Sequence, residues 1–184
     1  MGKVIGIDLG TTFSAIAELD DLGTPEVLAD PESGNRITRS AVYFGREKAI
    51  IGDKAKDAAV TNRNKVVTEV KREMENDVIF SFKEGKFVTN NGKVKGYTPS
   101  QISSLILSKL KGYTSKIKKA VITVPAQFAD RARGATLDAA KLSKLDIELI
   151  NEPTAAVLHY ANLPNVSLAG RVMVFDLGGG TFDI

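Results

Sequence analysis

Apolar and polar residues alternate with a period of about two in the first part of the chain, and this pattern predicts β-strands. The stretches KVIGIDLG and FSAIAEL read as two strands joined through TT, which predicts a hairpin at the N-terminus. A loop is predicted at the turn-rich DPESGNR that follows, because Asp, Pro, Ser, Gly and Asn favour turns.

Residues 39–97 show a less regular pattern. Short strand candidates lie between residues 41 and 52, and DKAKDAAV and KVVTEVKREM are predicted to be helices. The stretches VIFSF and KFVT flank KEG and predict a second hairpin. Because these residues do not follow the alternation of helix and strand that is predicted from residue 98 onward, they are predicted to form an inserted subdomain.

The most complete helix signal in the sequence begins at Thr98. Thr98 is the predicted N-cap, Pro99 occupies the first helical position and Gln101 completes a capping box. An apolar stripe follows at helical spacing, formed by Ile102, Leu105, Ile106 and Leu110. This face requires a hydrophobic core to pack against.

From residue 98 onward the predicted elements alternate between helix and strand. In chain order they are the capped helix, the strand KAVITVP, the helix DRARGATLDAAKLSKL, the strand DIELI, the helix EPTAAVLHYA and the strand RVMVFDLGG. This order is typical of a layered α/β sheet with helical crossovers, and the N-terminal hairpin makes the predicted sheet mixed.

Composition narrows the class of protein. The chain has 184 residues, of which 43% are hydrophobic and 26% are charged, so it can bury a substantial core. It has no cysteine, which excludes disulfides, thiolate zinc sites and cysteine nucleophiles, and its single histidine, His159, excludes a histidine-rich metal site. No apolar run approaches the length of a membrane span and the N-terminus does not read as a signal peptide, so we expect a cytoplasmic protein without a membrane partner.

Charge is unevenly distributed along the sequence. The formal net charge is +3, yet residues 36–119 contain 19 Lys and Arg against 8 Asp and Glu. A basic block can bind nucleic acid, but these cations are scattered among apolar and acidic residues, without a basic recognition helix or a run of aromatic residues. The pattern favours a solvated face and no nucleic-acid partner.

Two near copies of one motif carry the candidate chemistry: DLGTT at residues 8–12 and DLGGGT at residues 176–181. In each, a predicted strand delivers an aspartate to its end, glycine permits a tight turn, and backbone amides and threonine hydroxyls remain as donors for a phosphate group. The two aspartates, Asp8 and Asp176, suit Mg²⁺, which takes a carboxylate directly or through its waters. A single Asp-Leu-Gly is often just a strand ending in a turn, so the repetition carries the argument.

The spacing of the two copies adds to this interpretation. Asp8 and Asp176 lie 168 residues apart, about the size of one domain. The repeat therefore predicts two homologous halves, each of which presents a loop to a shared nucleotide. On this interpretation the chain holds the first half and only the beginning of the second.

Four stretches together carry a family resemblance: IGIDLGTTFS, VITVPAQFADRAR, INEPTAAVLHYA and VFDLGGGTFDI. In this order, and over almost the whole chain, they resemble the ATPase domain of the DnaK-type heat-shock protein 70 chaperones, within the actin and sugar-kinase superfamily. The resemblance implies an α/β fold: a ribonuclease-H-like mixed sheet with flanking helices and an inserted smaller α+β subdomain.

Domain boundaries follow from the same resemblance. Subdomain IA is expected at residues 1–38 and 98–169, subdomain IB at residues 39–97, and the first strands of a truncated lobe II at residues 170–184. Because the family grips adenosine mainly through lobe II, the chain alone is expected to bind ATP poorly and not to hydrolyse it.

Most of the site residues are assigned by the resemblance. The catalytic set would be Asp8, Lys71, Glu152, Asp176 and Thr181, with Asp8 and Asp176 binding Mg²⁺ through water. The nucleotide-binding set would be Gly10, Thr11, Thr12, Phe13, Gly178, Gly179, Gly180 and Thr181. Lys71 would orient the attacking water and stabilise charge on the γ-phosphate, whereas from the residues alone it reads as a solvated helix charge.

Three residues match the family's pattern for communication with the rest of the protein. Glu152 would lie near the nucleophilic water, and Pro125 and Arg133 would couple it to signalling between the lobes. From the residues alone, Glu152 is an acid favoured at a helix N-terminus, Pro125 ends a strand and Arg133 is a surface charge. Asp183 would be another acid near the phosphates.

Ligands and partners are implied in the same way. The cofactors would be ATP or ADP with Mg²⁺, and K⁺ is a further candidate. The partners of the complete protein would be a J-domain co-chaperone, a nucleotide-exchange factor and unfolded client polypeptides, in protein folding and the heat-shock stress response. For the apolar tail at residues 171–184, disorder, folding back onto the sheet and pairing between chains are all open, and we expect self-association by pairing.

The chain also departs from the family. Arg39 stands where the family usually has a proline, Glu73 and Glu75 are expected close to Lys71, and the segment after the capped helix is short.

Two other classes of protein remain as alternatives. One is an actin-like or sugar-kinase-like relative that shares only the phosphate loops, and the other is a non-enzymatic basic binding module.

Overall fold

Strands and helices alternate along this computed structural model, which describes residues 2–178 and the backbone of residues 182 and 183. The strands are β1 Lys3–Leu9, β2 Phe13–Leu19, β3 Pro25–Val27, β4 Thr38–Arg39, β5 Ala41–Phe44, β6 Ala49–Ile51, β7 Val66–Thr68, β8 Val78–Ser81, β9 Lys86–Thr89, β10 Gly96–Tyr97, β11 Ile117–Val124, β12 Ile147–Asn151, β13 Asp176–Leu177 and β14 Phe182–Asp183. The helices are α1 Asp53–Asp57, α2 Ala59–Asn62, α3 Pro99–Lys111, α4 Asp130–Leu142 and α5 Glu152–Ala161, and 3₁₀ turns span Arg63–Lys65 and Val70–Glu73.

A mixed sheet forms the centre of the fold. Its strand order is β12-β11-β1-β2-β3, and the short β4 pairs with the start of β2. The strands β1, β11 and β12 run parallel to one another, whereas β1, β2 and β3 form the antiparallel part. The predicted α/β fold with a mixed sheet and flanking helices is confirmed.

One face of the sheet is the core face. Ile5 and Ile7 of β1 lie beside Ala120 and Ile122 of β11, and all four are buried. Helix α3 packs against α4 and contributes buried residues from its predicted apolar stripe: Ile102, Ile106 and Leu110, with Leu107 next to them. The predicted capping box is present, because the Thr98 hydroxyl accepts from the Gln101 amide and the Gln101 side chain accepts from the Thr98 amide.

Two smaller sheets lie within residues 41–97. Their strand orders are β6-β5-β7 and β10-β8-β9. Both share one hydrophobic cluster with the central sheet, through Val42, Val67, Val70 and Phe80. The division of the chain into subdomains at residues 39 and 97 stays a prediction.

The helix predicted over KVVTEVKREM is wrong. Val66–Thr68 is a strand that pairs with β5, and a 3₁₀ turn follows at Val70–Glu73. Three consecutive β-branched residues favour the strand, and Glu69 between the two elements has φ of 57°, which a helix does not permit. Lys71 therefore lies on a short buried turn and not on a solvated helix.

The strand predicted over RVMVFDLGG is formed only at Asp176–Leu177, which pairs with Phe182–Asp183. Residues 171–175 are assigned to no strand in the described part of the chain. Val172, Met173 and Leu177 are exposed, and residues 170–174 line an open groove of about 750 Å³ with helix α5. No helix of the described residues is long and apolar enough to cross a membrane.

Exposed apolar side chains in residues 172–177 generate a prediction about association. We expect the chain to self-associate as its concentration rises, because burying these exposed apolar side chains against a second chain is favourable. Met173→Asp, at a side chain that is 67% exposed, should shift light scattering towards the monomer. Leu22→Asp, at an isolated side chain that is 90% exposed, is the control and should leave the association unchanged. Monomeric scattering of the unmodified chain at all concentrations would contradict the expectation.

Candidate functional site

The first phosphate-loop motif forms the tight connection between β1 and β2. A Cβ atom on Gly10 would lie 2.1 Å from the carbonyl oxygen of Phe13, so no other residue fits there without moving the backbone. Thr11 is buried, Thr12 is half-buried and Phe13 lies at the surface. The loop is therefore a compact turn that the flanking strands hold in place.

Asp8 lies on the face of the sheet opposite the core. Its neighbours Ile7 and Leu9 are buried while Asp8 is exposed, as the alternation of a strand requires. The hydroxyl of Thr123 on β11 donates to Asp8 Oδ1 at 2.9 Å and orients the carboxylate. Thr123 was not among the predicted site residues, although the buried Ile122 and Val124 on either side of it place it on the same face as Asp8.

Lys71 and Glu152 form a buried ion pair. The Lys71 ammonium donates to Glu152 Oε1, and the two side chains are only 10% and 14% exposed. Glu152 begins helix α5 directly after β12, and the ring of Phe128 lies 6.0 Å from Lys71 Nζ. Buried Val70 anchors the 3₁₀ turn that carries Lys71. The structure thus brings together two predicted catalytic residues that lie far apart in the sequence.

The electrostatic surroundings of Glu152 connect this pair to the two aspartates. Burial raises the pKa of Glu152, and the Lys71 ammonium opposes that shift. The negative charges of Asp8 and Asp176 raise the pKa of Glu152 further. Asp8, Asp176 and Lys71 therefore all act on Glu152, and we refer to these four residues as one electrostatic neighbourhood.

The second phosphate-loop motif is described in part. Asp176 is half-buried in β13, and Gly178 is exposed just after that strand. Gly179, Gly180 and Thr181, which belong to the predicted site, lie outside the described residues, as does the side chain of Asp183.

Pro125 and Arg133 are connected by hydrogen bonds to Phe128 and Asn151, which lie next to the ion pair. The Phe128 amide donates to the Pro125 carbonyl at 3.1 Å, which closes a turn after β11. Arg133 donates through Nε to the Phe128 carbonyl at 2.9 Å and through Nη2 to Asn151 Oδ1 at 2.7 Å. Since Asn151 precedes Glu152, Arg133 bridges the turn at Pro125 and the start of α5. Sequence reasoning missed Phe128 and Asn151, and no periodic pattern marks them.

The departures from the family pattern have defined partners. The Arg39 guanidinium lies 4.6 Å from the centre of the Phe13 ring, and its Nε donates to Asp53 Oδ1 at 3.2 Å. Glu75 Oε1 accepts from the Ala129 amide at 3.3 Å, and Glu73 accepts from the side chain of Asn76 at 2.9 Å. The two acids thus bond to groups other than Lys71, which pairs with Glu152.

The donor set fits a hydrated metal ion. Among residues 2–178, no group of three or more Asp, Glu, His or Cys side chains is close enough to hold a metal. Asp8 and Asp176 both act on Glu152. Mg²⁺ usually keeps several of its waters and binds through one or two carboxylates and the phosphates of a substrate. Asp8 and Asp176 would therefore suit Mg²⁺ held through its waters.

A mixed sheet that presents a glycine turn, two aspartates and a buried lysine is the arrangement of an actin-like ATPase fold. The family model described as Hsp70 protein matches residues 4–184, and the chain belongs to the Hsp70 family. Hsp70 proteins are chaperone ATPases that bind ATP or ADP with Mg²⁺ and work with client polypeptides and co-chaperones. This membership confirms the resemblance at the level of the Hsp70 family, and the DnaK-type assignment stays a prediction.

Charge substitutions provide a test of the shared neighbourhood. In Asp8→Asn, we expect the pKa of Glu152 to fall, because one of the negative charges that raise it is gone. Asp176→Asn should act in the same direction, and Lys71→Met in the opposite one. Carbon-detected NMR titration of the Glu152 carboxyl group measures each shift. Asp53→Asn, on helix α1, is the control. An unchanged Glu152 titration in both aspartate variants would show that the three carboxylates do not interact.

Proposed function

We propose that this chain is the first lobe of the ATPase domain of a DnaK-type Hsp70 chaperone and supplies its lysine, its first phosphate loop and both aspartates of the magnesium site. The observation that carries the proposal is the Lys71 ammonium, fixed by Glu152 within the neighbourhood of Asp8 and Asp176. A cation held at one place is what transfer of a phosphoryl group requires, because charge on the phosphoryl oxygens must be stabilised throughout the reaction.

The turn at Gly10 would hold the phosphates. The backbone amides and hydroxyls of Thr11 and Thr12, with Phe13 beside them, are the donors on this side, and Gly178, Gly179, Gly180 and Thr181 would supply the donors on the other. Asp8 and Asp176 would hold Mg²⁺ through water, and the bound ion supplies neutralisation of phosphate charge.

Lys71 would act on the reacting γ-phosphate. A lysine ammonium has three donor hydrogens, and Glu152 accepts one of them. Because the side chain is already desolvated and fixed, little reorganisation is needed when the phosphate arrives. Glu152 would orient the ammonium and lie near the attacking water, and its raised pKa brings it closer to the range in which a carboxylate accepts a proton efficiently.

Pro125 and Arg133 would carry the state of this site to the rest of the protein. Arg133 connects to Glu152 through Asn151 and to the neighbourhood of Lys71 through Phe128. A displacement of Glu152 would therefore move the same hydrogen-bonded group that holds the turn at Pro125. We place the protein in the cytoplasm, with a J-domain co-chaperone and a nucleotide-exchange factor as its regulatory partners.

The role of Lys71 is tested in the complete ATPase domain. We expect Lys71→Ala to reduce single-turnover ATP hydrolysis by at least about tenfold, which is about 1.4 kcal/mol of barrier, while nucleotide affinity changes little. Lys54→Ala, at a lysine that is 78% exposed on helix α1, is the matched control and should hydrolyse normally. Unchanged hydrolysis in Lys71→Ala would contradict the assignment.

Nucleotide binding by the chain alone tests the assignment of the lobe. We expect weak binding of MgATP and no turnover, because only part of the clamp around the phosphates is present. NMR titration should perturb the amides of residues 10–13 and leave the end of α4 unchanged. A dissociation constant of about 1 µM or below, which corresponds to about −8 kcal/mol, would show that the chain is sufficient for binding.

A further inference from the structure

Ser40, at the junction between β4 and β5, makes two hydrogen bonds to the first phosphate loop. Its hydroxyl donates to the Gly10 carbonyl at 2.8 Å, and its backbone amide donates to the Thr12 carbonyl, also at 2.8 Å. The side chain is buried, with 3% of its surface exposed. Neither the sequence motifs nor the family match assigns a role to this serine.

A second buried hydroxyl supports the first. Ser14 Oγ lies 2.9 Å from Ser40 Oγ. A serine hydroxyl has one donor hydrogen, and Ser40 uses it on the Gly10 carbonyl, so the Ser14 hydroxyl is the donor to Ser40. The two serines form a chain of hydrogen bonds that starts on β2 and ends on the loop.

These bonds determine which way the loop amides face. In a trans peptide the C=O and the following N–H point in opposite directions, and the described chain has no cis peptide. Because the Gly10 carbonyl points towards Ser40, the Thr11 N–H points away from it. In the same way, the Thr12 carbonyl points towards the Ser40 amide that donates to it, so the N–H of Phe13 points away from Ser40. The Gly10 and Thr12 carbonyl oxygens, which would repel an anion, therefore point towards Ser40. The N–H groups of Thr11 and Phe13, which can donate to an anion, point in the opposite direction.

Ser40 also connects the loop to the segment that carries Lys71. The next residue, Ala41, begins β5 and pairs with Thr68 of β7. Thr68 lies three residues before Lys71 in the sequence, and Lys71 lies in the 3₁₀ turn Val70–Glu73 that follows β7. The loop and the lysine are therefore both positioned relative to one strand.

We propose that Ser40 is a positioning residue of the phosphate site: it holds the Gly10 and Thr12 carbonyls so that the Thr11 and Phe13 amides face the nucleotide phosphates. The proposal rests on the proposed function of the Gly10 turn in phosphate binding. It assigns to Ser40 no contact with the nucleotide.

Ser40→Ala tests the proposal, and Ser143→Ala is its matched control. Ser143 is also buried, and its hydroxyl donates to the Ala140 carbonyl at 2.8 Å, but it lies at the end of α4. Ser143→Ala loses one buried hydroxyl bond, whereas Ser40→Ala loses two, so both should lose stability in urea unfolding and Ser40→Ala should lose more. Only Ser40→Ala should weaken MgATP binding, by about fivefold, and speed hydrogen exchange of the Thr11 amide in the nucleotide-free chain. Ser40→Thr, which retains the hydroxyl, should restore the exchange rate of the unmodified chain.

The two readouts separate this proposal from the proposed function. If MgATP perturbs none of residues 10–13 in the unmodified chain, the proposed function fails, while the exchange rate of Thr11 still decides the role of Ser40. Unchanged Thr11 exchange in Ser40→Ala, or equal effects of Ser40→Ala and Ser143→Ala on MgATP affinity, would overturn the proposal. Should Ser40→Ala fail to fold, Ser14→Ala removes only the donor to Ser40. It should speed Thr11 exchange by a smaller factor, and unchanged exchange there overturns the proposal as well.

Discussion

The buried ion pair between Lys71 and Glu152 joins two segments that lie 81 residues apart. A buried charge without a partner is strongly unfavourable, so each residue requires the other to be in place. The pair thereby couples the folding of the 3₁₀ turn after β7 to the docking of helix α5 against β11 and β12. It is a poor source of stability, because desolvation offsets much of the attraction, and in the proposed function its value would lie in fixing the position of the ammonium.

The direction of the strands explains why these groups meet. Since β1, β11 and β12 are parallel, their carboxyl ends lie at one edge of the sheet, where open α/β sheets bind ligands. β1 ends at the Gly10 turn, β11 ends before Pro125, and β12 ends before Glu152. These three strand ends lie far apart in the sequence, and they are neighbours because the strands are parallel and adjacent, not because of any local motif.

Much of the fold could be predicted because it depends on local patterns. The hairpin of β1 and β2, the Thr98 cap and the alternation of helix and strand after residue 98 all follow from periodicity and capping chemistry. The error over KVVTEVKREM arose because a short apolar run fits both a helix and a strand, and the positive φ at Glu69 leaves no signal in the sequence. Within the site, Thr123 follows from the alternation of β11, whereas the bonds of Ser40, Phe128 and Asn151 depend on which segments come together in three dimensions.

In the proposed function, charge balance at the sheet edge would decide the form of nucleotide that the site accepts. Asp8 and Asp176 raise the pKa of Glu152, whereas the Lys71 ammonium lowers it. A phosphate that arrives without a cation meets net repulsion from these carboxylates. The same carboxylates attract a divalent cation, so the metal and the phosphate each strengthen the binding of the other, as linkage requires. In the proposed function the site would therefore favour a magnesium–nucleotide complex over free nucleotide, and the acidity of this edge, which opposes phosphate binding on its own, would be the source of that selectivity.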